Sequence, residues 1–164
     1  MSRISSVAVR KAMEMLCSEE SLGPAILRLA ADAGVEPPRL EVGQIQAVNA
    51  GVELVERQGP VRYPYVQVCC ERVVNSMREK FRKFSGTARI GVEIRCSGER
   101  VGAVEEESRL LADALTEVLE NNRGDWGDGF SYAGGYELTH HAARAGGKNV
   151  VQVARVVFEL DVRV

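Results

Sequence analysis

The clearest pattern in the chain lies between residues 87 and 96. Ala88, Ile90, Val92, Ile94 and Cys96 alternate there with Thr87, Arg89, Gly91, Glu93 and Arg95. A period of two puts every apolar side chain on one face of a strand and leaves the other face wet, as in an antiparallel sheet covered on one side. The C-terminus repeats the pattern. From Ala154 the even positions Val156, Phe158, Leu160, Val162 and Val164 are apolar, while Arg155, Glu159, Asp161 and Arg163 are charged. Between these strands, from about 99 to 121, the period lengthens to that of a helix. Val104, Leu111, Leu115 and Val118 form its stripe, broadened by Leu110, Ala114 and Leu119. Glu105, Glu106 and Glu107 lie near its start, where the helix dipole favours negative charge, and Gly124 stands where a C-terminal cap is wanted.

The flanking segments read less sharply. Residues 4–18 have helical spacing (Val7, Met13, Leu16, Cys17), with Ser5 or Ser6 as the cap. Leu22-Gly23-Pro24 interrupts, Pro24 suits the first turn of a second helix, and Gly34 stands just past its end. Pro37-Pro38 forbids further helix. Residues 40–48 suggest a strand that Gly43 weakens, and 49–62 a polar connection ending in Gly59-Pro60. Tyr63-Pro64-Tyr65 opens an extended run. Val66, Val68 and Cys70 share one face of it, Gln67, Cys69 and Glu71 the other, and it continues through Val73 and Val74. Ser85-Gly86 and Ser97-Gly98 read as turns, 122–130 as a Gly-rich loop whose Trp126 covers the neighbouring core. Residues 130–142 read as a strand bent at Gly134-Gly135, and 145–148 as a turn into the last strand. The order predicts an α+β fold: an antiparallel or mixed β-sheet with N-terminal helices and one long helix packed on one face. It is expected to be a single domain over 1–164, with an N-terminal helical segment at 1–35 and a sheet-plus-helix core at 60–164.

Composition narrows the function more than the fold. A net charge of -2 and a pI near 5.8 lack the basic excess of a domain that coats nucleic acid. Aromatic residues are 5% of the chain, too few to advertise a base-stacking platform. No window approaches the ~18 apolar residues of a membrane span, so no membrane partner is expected. Cys17, Cys69, Cys70 and Cys96 form no CxxC pair, and no secretory segment is recognised before them. They read as reduced core thiols of a protein made in a reducing cytoplasm.

Candidate chemistry is sparse. Glu137 and His141 are four apart and face the same way on a strand, whereas His140 and His141 point to opposite faces. Two ligands do not close a metal site, so surface residues at a strand end is the simpler reading. Asp125-Trp126-Gly127-Asp128-Gly129 fails the spacing of a calcium loop. A small metal- or ligand-binding enzyme using Glu137, His141, Asp125 and Asp128 is the alternative from another class. The glycines make no dinucleotide fingerprint, and no serine or cysteine has a motif-supported base. No catalytic residue, cofactor or metal is expected. Arg78, Lys80, Arg82 and Lys83 place four cations in six residues, with Arg78, Lys80 and Arg82 on one side of an extended segment and Phe81 on the other. They suit either a hairpin tip kept soluble by charge or a contact to phosphate.

Five segments then fall in a recognisable order. They are Tyr63-Pro64-Tyr65-Val66-Gln67-Val68, Arg89-Ile90-Gly91-Val92-Glu93-Ile94, Ser108-Arg109-Leu110-Leu111-Ala112-Asp113-Ala114-Leu115, Tyr132-Ala133-Gly134-Gly135-Tyr136 and Asn149-Val150-Val151-Gln152-Val153-Ala154. Over residues 60–164 this order resembles the tail terminator, or tail completion, proteins of long-tailed bacteriophages and prophages. The resemblance implies a structural virion protein without catalysis or cofactor. Such a protein forms a homo-oligomeric ring, usually a hexamer, on the head-proximal end of the tail tube. The ring stops tube growth, docks the head connector and passes DNA through its lumen. The implied partners are copies of itself, the tail tube protein, the connector or neck protein and transient DNA, and the implied location is the virion tail after assembly in the host cytoplasm. Another neck or head-tail adaptor protein has the same make-up. On the ring reading, Arg78, Lys80, Arg82 and Lys83 edge the lumen.

Overall fold

The computed structural model describes residues 3–164. Two helices come first, α1 (Ile4–Cys17) and α2 (Leu22–Ala33). Ser21 separates them: its hydroxyl donates to the carbonyls of Leu16 and Ser18, closing off the end of α1. Gly34 ends α2 in the left-handed conformation (φ 68°), and its N–H returns to the carbonyls of Ala30 and Ala31. The expected cap of α1 is corrected. Ser5 and Ser6 lie inside the helix, Arg3 is the N-cap residue, and no side chain caps it.

Residues 40–48 form less strand than expected. A single 3-10 turn (Val42–Gln44) precedes β1 (Ile45–Gln46), which pairs parallel to the next strand. The polar connection after it contains a short helix, α3 (Val52–Arg57), with Glu53 in its first turn and Arg57 in its last, as the dipole favours. The core of the sheet is three long strands, β2 (Tyr65–Asn75), β3 (Ser85–Gly98) and the C-terminal β8 (Asn149–Arg163). Ser85-Gly86 and Ser97-Gly98, expected as turns, instead extend β3 at both ends. Gly86 lets β2 approach there, since a Cβ would strike the Val74 carbonyl.

The crossover from β3 to the C-terminal half is α4 (Val101–Asn121). Its Glu105–Glu107 triplet falls beyond the first turn, and Asn122 rather than Gly124 is the C-cap residue. Gly124 opens β4 (Gly124–Gly127), so the expected 122–130 loop is a hairpin with β5 (Phe130–Tyr132). Trp126 does lie against the core, edge-on to Phe158 at 6.1 Å between centroids. After Gly134-Gly135, both at positive φ, come β6 (Tyr136–His140) and β7 (Arg144–Gly146).

The sheet order is β1-β2-β3-β8-β5-β4, with β6 and β7 also paired to β8. One edge of β8 pairs with β3 over 14 positions, and its other edge takes β7, β6 and β5 in turn. Every pairing is antiparallel except β1–β2, which makes the sheet mixed and the fold α+β. Helices α1 and α4 pack on the sheet and α2 packs on α4. Alanines 8, 12, 30, 112 and 114 have little or no exposure and let these layers approach closely.

Candidate functional site

The face of the sheet away from the helices carries charge in an ordered way. Register sets Arg89 opposite Glu159 and Glu93 opposite Arg155. A β-bulge between Cys70 and Arg72 leaves Glu71 on the same face as Cys69 but without a partner in the β3 register. Its carboxylate lies over Gly91, where a side chain would collide with it. There it pairs with Arg155 and sits 3.4 Å from Arg89 Nε. Further along, Arg95 is buried. One of its terminal nitrogens donates to the Ala50 carbonyl at 2.5 Å and to Glu93 at 2.8 Å. The Tyr65 ring lies 5.8 Å beneath its guanidinium carbon. Its Nε and Nη1 are buried without a partner.

Beside Arg95 lies a cleft of about 360 Å³ between α3 and the β7 end of β8. Val52, Val151 and Val153 give it apolar walls. Glu53, Glu56 and Glu93 line it together with Arg95, Arg144 and His141. Arg95 is committed to Glu93, and Glu56 accepts the Tyr63 hydroxyl at 2.9 Å. Burial and that carboxylate push Tyr63 up to about 12. Glu53 has no ion pair among the described residues.

At the other end of the same strands, residues 76–84 join β2 to β3. The expected extended geometry does not hold there: the segment is irregular, with Met77 (φ 49°) and Phe81 (φ 73°) in the left-handed region. The alternation argument for Arg78, Lys80 and Arg82 therefore fails. The loop is nonetheless tied down. Asn75 Oδ1 accepts from the N–H groups of Met77 and Ser85, Ser85 Oγ accepts from Glu79 N–H, and Phe84 exchanges two backbone bonds with Val164. Arg78 lies 3.8 Å from Asp161, and Glu79 pairs with both Arg82 and Arg163. Lys80 and Lys83 make no ion pair among the described residues. Phe81 stands fully exposed between them.

The sequence-level metal candidates do not converge. His141 lines the cleft beside α3, whereas Glu137 lines a separate depression with Arg89 and Glu159. Asp128 is held by Lys11 of α1 at 2.9 Å, at the β4–β5 turn. Among the described residues no group of three His, Cys, Asp or Glu side chains is placed to hold a metal ion.

No protein-family model and no curated protein matches the chain. Among solved structures, a chain of the virion of a native gene transfer agent particle matches with a TM-score of 0.48 and 13% identity, over 96% of this chain and 97% of that one. A likeness at that level assigns neither residues nor a role.

The sheet's two flanks complete the picture. β1 covers β2 only at Val66 and Gln67, so no strand pairs with the outer side of residues 68–75 among the described residues. β6 likewise pairs only with β8, and Tyr136, Glu137, Thr139 and His140 are exposed. Reasoning from sequence missed the cleft entirely. Its one legible sign was Arg95 on an otherwise wet face, beside a connection that folds into a helix. No helix of the described residues is long and apolar enough to cross a membrane.

Proposed function

We propose that the chain is a ring-forming subunit at the head-proximal end of a phage tail tube, a tail terminator. The observation that carries this reading is the pair of unpaired strand edges on opposite flanks of one sheet, β2 (68–75) and β6. Unpaired edges are templates for association, and two different edges on opposite sides suit the head-to-tail contact that closes into a ring by rotation. The resemblance over residues 60–164 supports the kind of ring, since its five segments lie on β2, β3, α4, the β5–β6 bend and β8. The role needs recognition and no bond chemistry, so the ordered charges of the wet face serve as contacts. The partners on this reading are further copies, the tail tube protein and the head connector, with DNA crossing the lumen. Among the described residues only Lys80 and Lys83 of the basic segment lack a carboxylate partner, so the patch offers two free cations rather than four.

The test is to add the purified protein to growing tail tubes. Six-fold rings at one tube end, shorter tubes and a ring mass by light scattering are expected. Tubes of unchanged length with no bound protein would remove the proposal.

A further inference from the structure

We infer that the loop at 76–84 of one copy seats Phe81 in the cleft beside α3 of the next copy, and that Lys80 and Lys83 meet Glu53 and Glu56 there. The inference rests on the ring reading and names a further contact between neighbouring copies.

Four observations converge on it. Phe81 is a fully exposed aromatic side chain held at φ 73°, a conformation that costs a non-glycine residue on the order of 1 kcal/mol. A loop that merely had to turn would place glycine there and keep the ring out of water. Second, the loop is rigid before any partner arrives, because Asn75, Ser85 and Glu79 fix its backbone and Phe84 pairs with Val164. A pre-ordered anchor loses little entropy on binding. Third, the charges are complementary. The tip offers two unpaired ammonium groups. The cleft offers exposed Glu53 and Glu56, the latter also accepting the Tyr63 hydroxyl; Arg144 and His141 share the lining, and Arg95 is bound to Glu93. Its valine walls and 360 Å³ suit one aromatic ring.

Fourth, tip and cleft lie at opposite ends of the same strands. Ser85 borders the tip and Arg95 the cleft, ten residues of β3 apart, or roughly 33 Å at the rise of a strand. A subunit cannot fill its own cleft, but each can fill its neighbour's. Repeated from copy to copy in one sense the contact is heterologous, and it belongs to a ring where the rotation between neighbours closes. Lys80 and Lys83 then face the neighbour rather than the lumen.

The experiment uses two full-length variants, one with Lys80→Glu and Lys83→Glu, the other with Glu53→Lys and Glu56→Lys. Both are first checked for wild-type melting. Ring mass is measured by light scattering, alone and on tail tubes. Each variant alone places like charges together and is expected to form no ring. Mixed one to one, the altered tip meets the altered cleft and the natural tip the natural cleft, so rings return with alternating subunits. Phe81→Ala, which removes no intramolecular contact, is expected to weaken association about 30-fold, as for an interface hot spot. Rings of unchanged affinity in all three variants would overturn the inference and leave the ring reading standing. Wild-type protein that forms no ring, alone or on tubes, would overturn both.

Discussion

The two faces of the β3–β8 pair share one backbone ladder and are held in opposite ways. Under the helices, Ala88, Ile90, Val92 and Ile94 face Leu160, Phe158, Val156 and Ala154, and none is more than 2% exposed. Across the sheet the same register sets Arg89 and Glu93 against Glu159 and Arg155, and the bulged Glu71 draws two of those arginines together. The dry face is stabilised by area removed from water, which is not screened by salt and responds little to modest changes of pH. The wet face is stabilised by half-screened charges, individually weak and dependent on ionic strength. One face therefore fixes the fold, and the other is available for recognition without disturbing it.

Cysteine reactivity gives the largest expected contrast. Cys96 projects to the dry face with no exposure, and burial pushes its thiol far above the ordinary range. Cys69, half-buried opposite Gly91 on the wet face, is raised too, first by burial. A thiol reagent is expected to label Cys69 within the native state and Cys96 only on global unfolding, a difference on the order of 1000-fold or more in rate. Comparable rates, read by mass spectrometry of digested protein, would show that the dry face opens locally. Next in size is Phe158→Ala, expected to cost about 3–5 kcal/mol in urea unfolding, with little dependence on salt. Glu71→Gln removes the shared partner of Arg89 and Arg155 and is expected to cost about 1 kcal/mol at low salt. That cost should fall in 1 M salt; a constant cost would mean that Glu71 acts by packing rather than by charge.

The contrast also explains what could be read from the chain. Alternation at 87–96 and 154–164 located β3, β8 and their apolar side because burial leaves a periodic mark. The helical stripe of α4 was legible for the same reason. The ends of these elements were not. Ser85-Gly86 and Ser97-Gly98 have the composition of turns, but β8 supplies hydrogen-bond partners along the whole of β3, and tertiary pairing overrides the local preference. The 122–130 segment is Gly-rich because it makes a tight hairpin, and composition alone does not distinguish a loop from a turn that joins strands. For the candidate site the sequence supplied the basic run at 78–83 but an incorrect geometry, since nothing local forces Phe81 into the left-handed region. Apart from Arg95 the cleft left no local sign, because residues 51–56, 93–95 and 141–153 meet only in three dimensions.

The last contrast sets a single ion pair at the margin of the dry layer against the charge lattice of the wet face. Asp128, at the β4–β5 turn, is joined to Lys11 of α1 at 2.9 Å, with Arg10 3.7 Å away. The hydrogen bond and charge of Lys11 hold its carboxyl below the usual range. A carboxylate whose pKa is lowered by folding stabilises the native state once the pH is above its unfolded value, about 3.9, and that stabilisation is lost as the pH falls through the folded value. Asp128→Asn is therefore expected to lower the urea midpoint slightly at pH 7 and by less at pH 3. Because Asp128 is exposed, the effect is the smallest of the series and is also expected to shrink with salt. An equal deficit at both pH values would place the contribution in the shape of the turn, where Asp128 adopts φ 55°, rather than in its charge. The rim of the dry layer would then be held, like its centre, by packing and backbone geometry, and charge would be confined to the wet face.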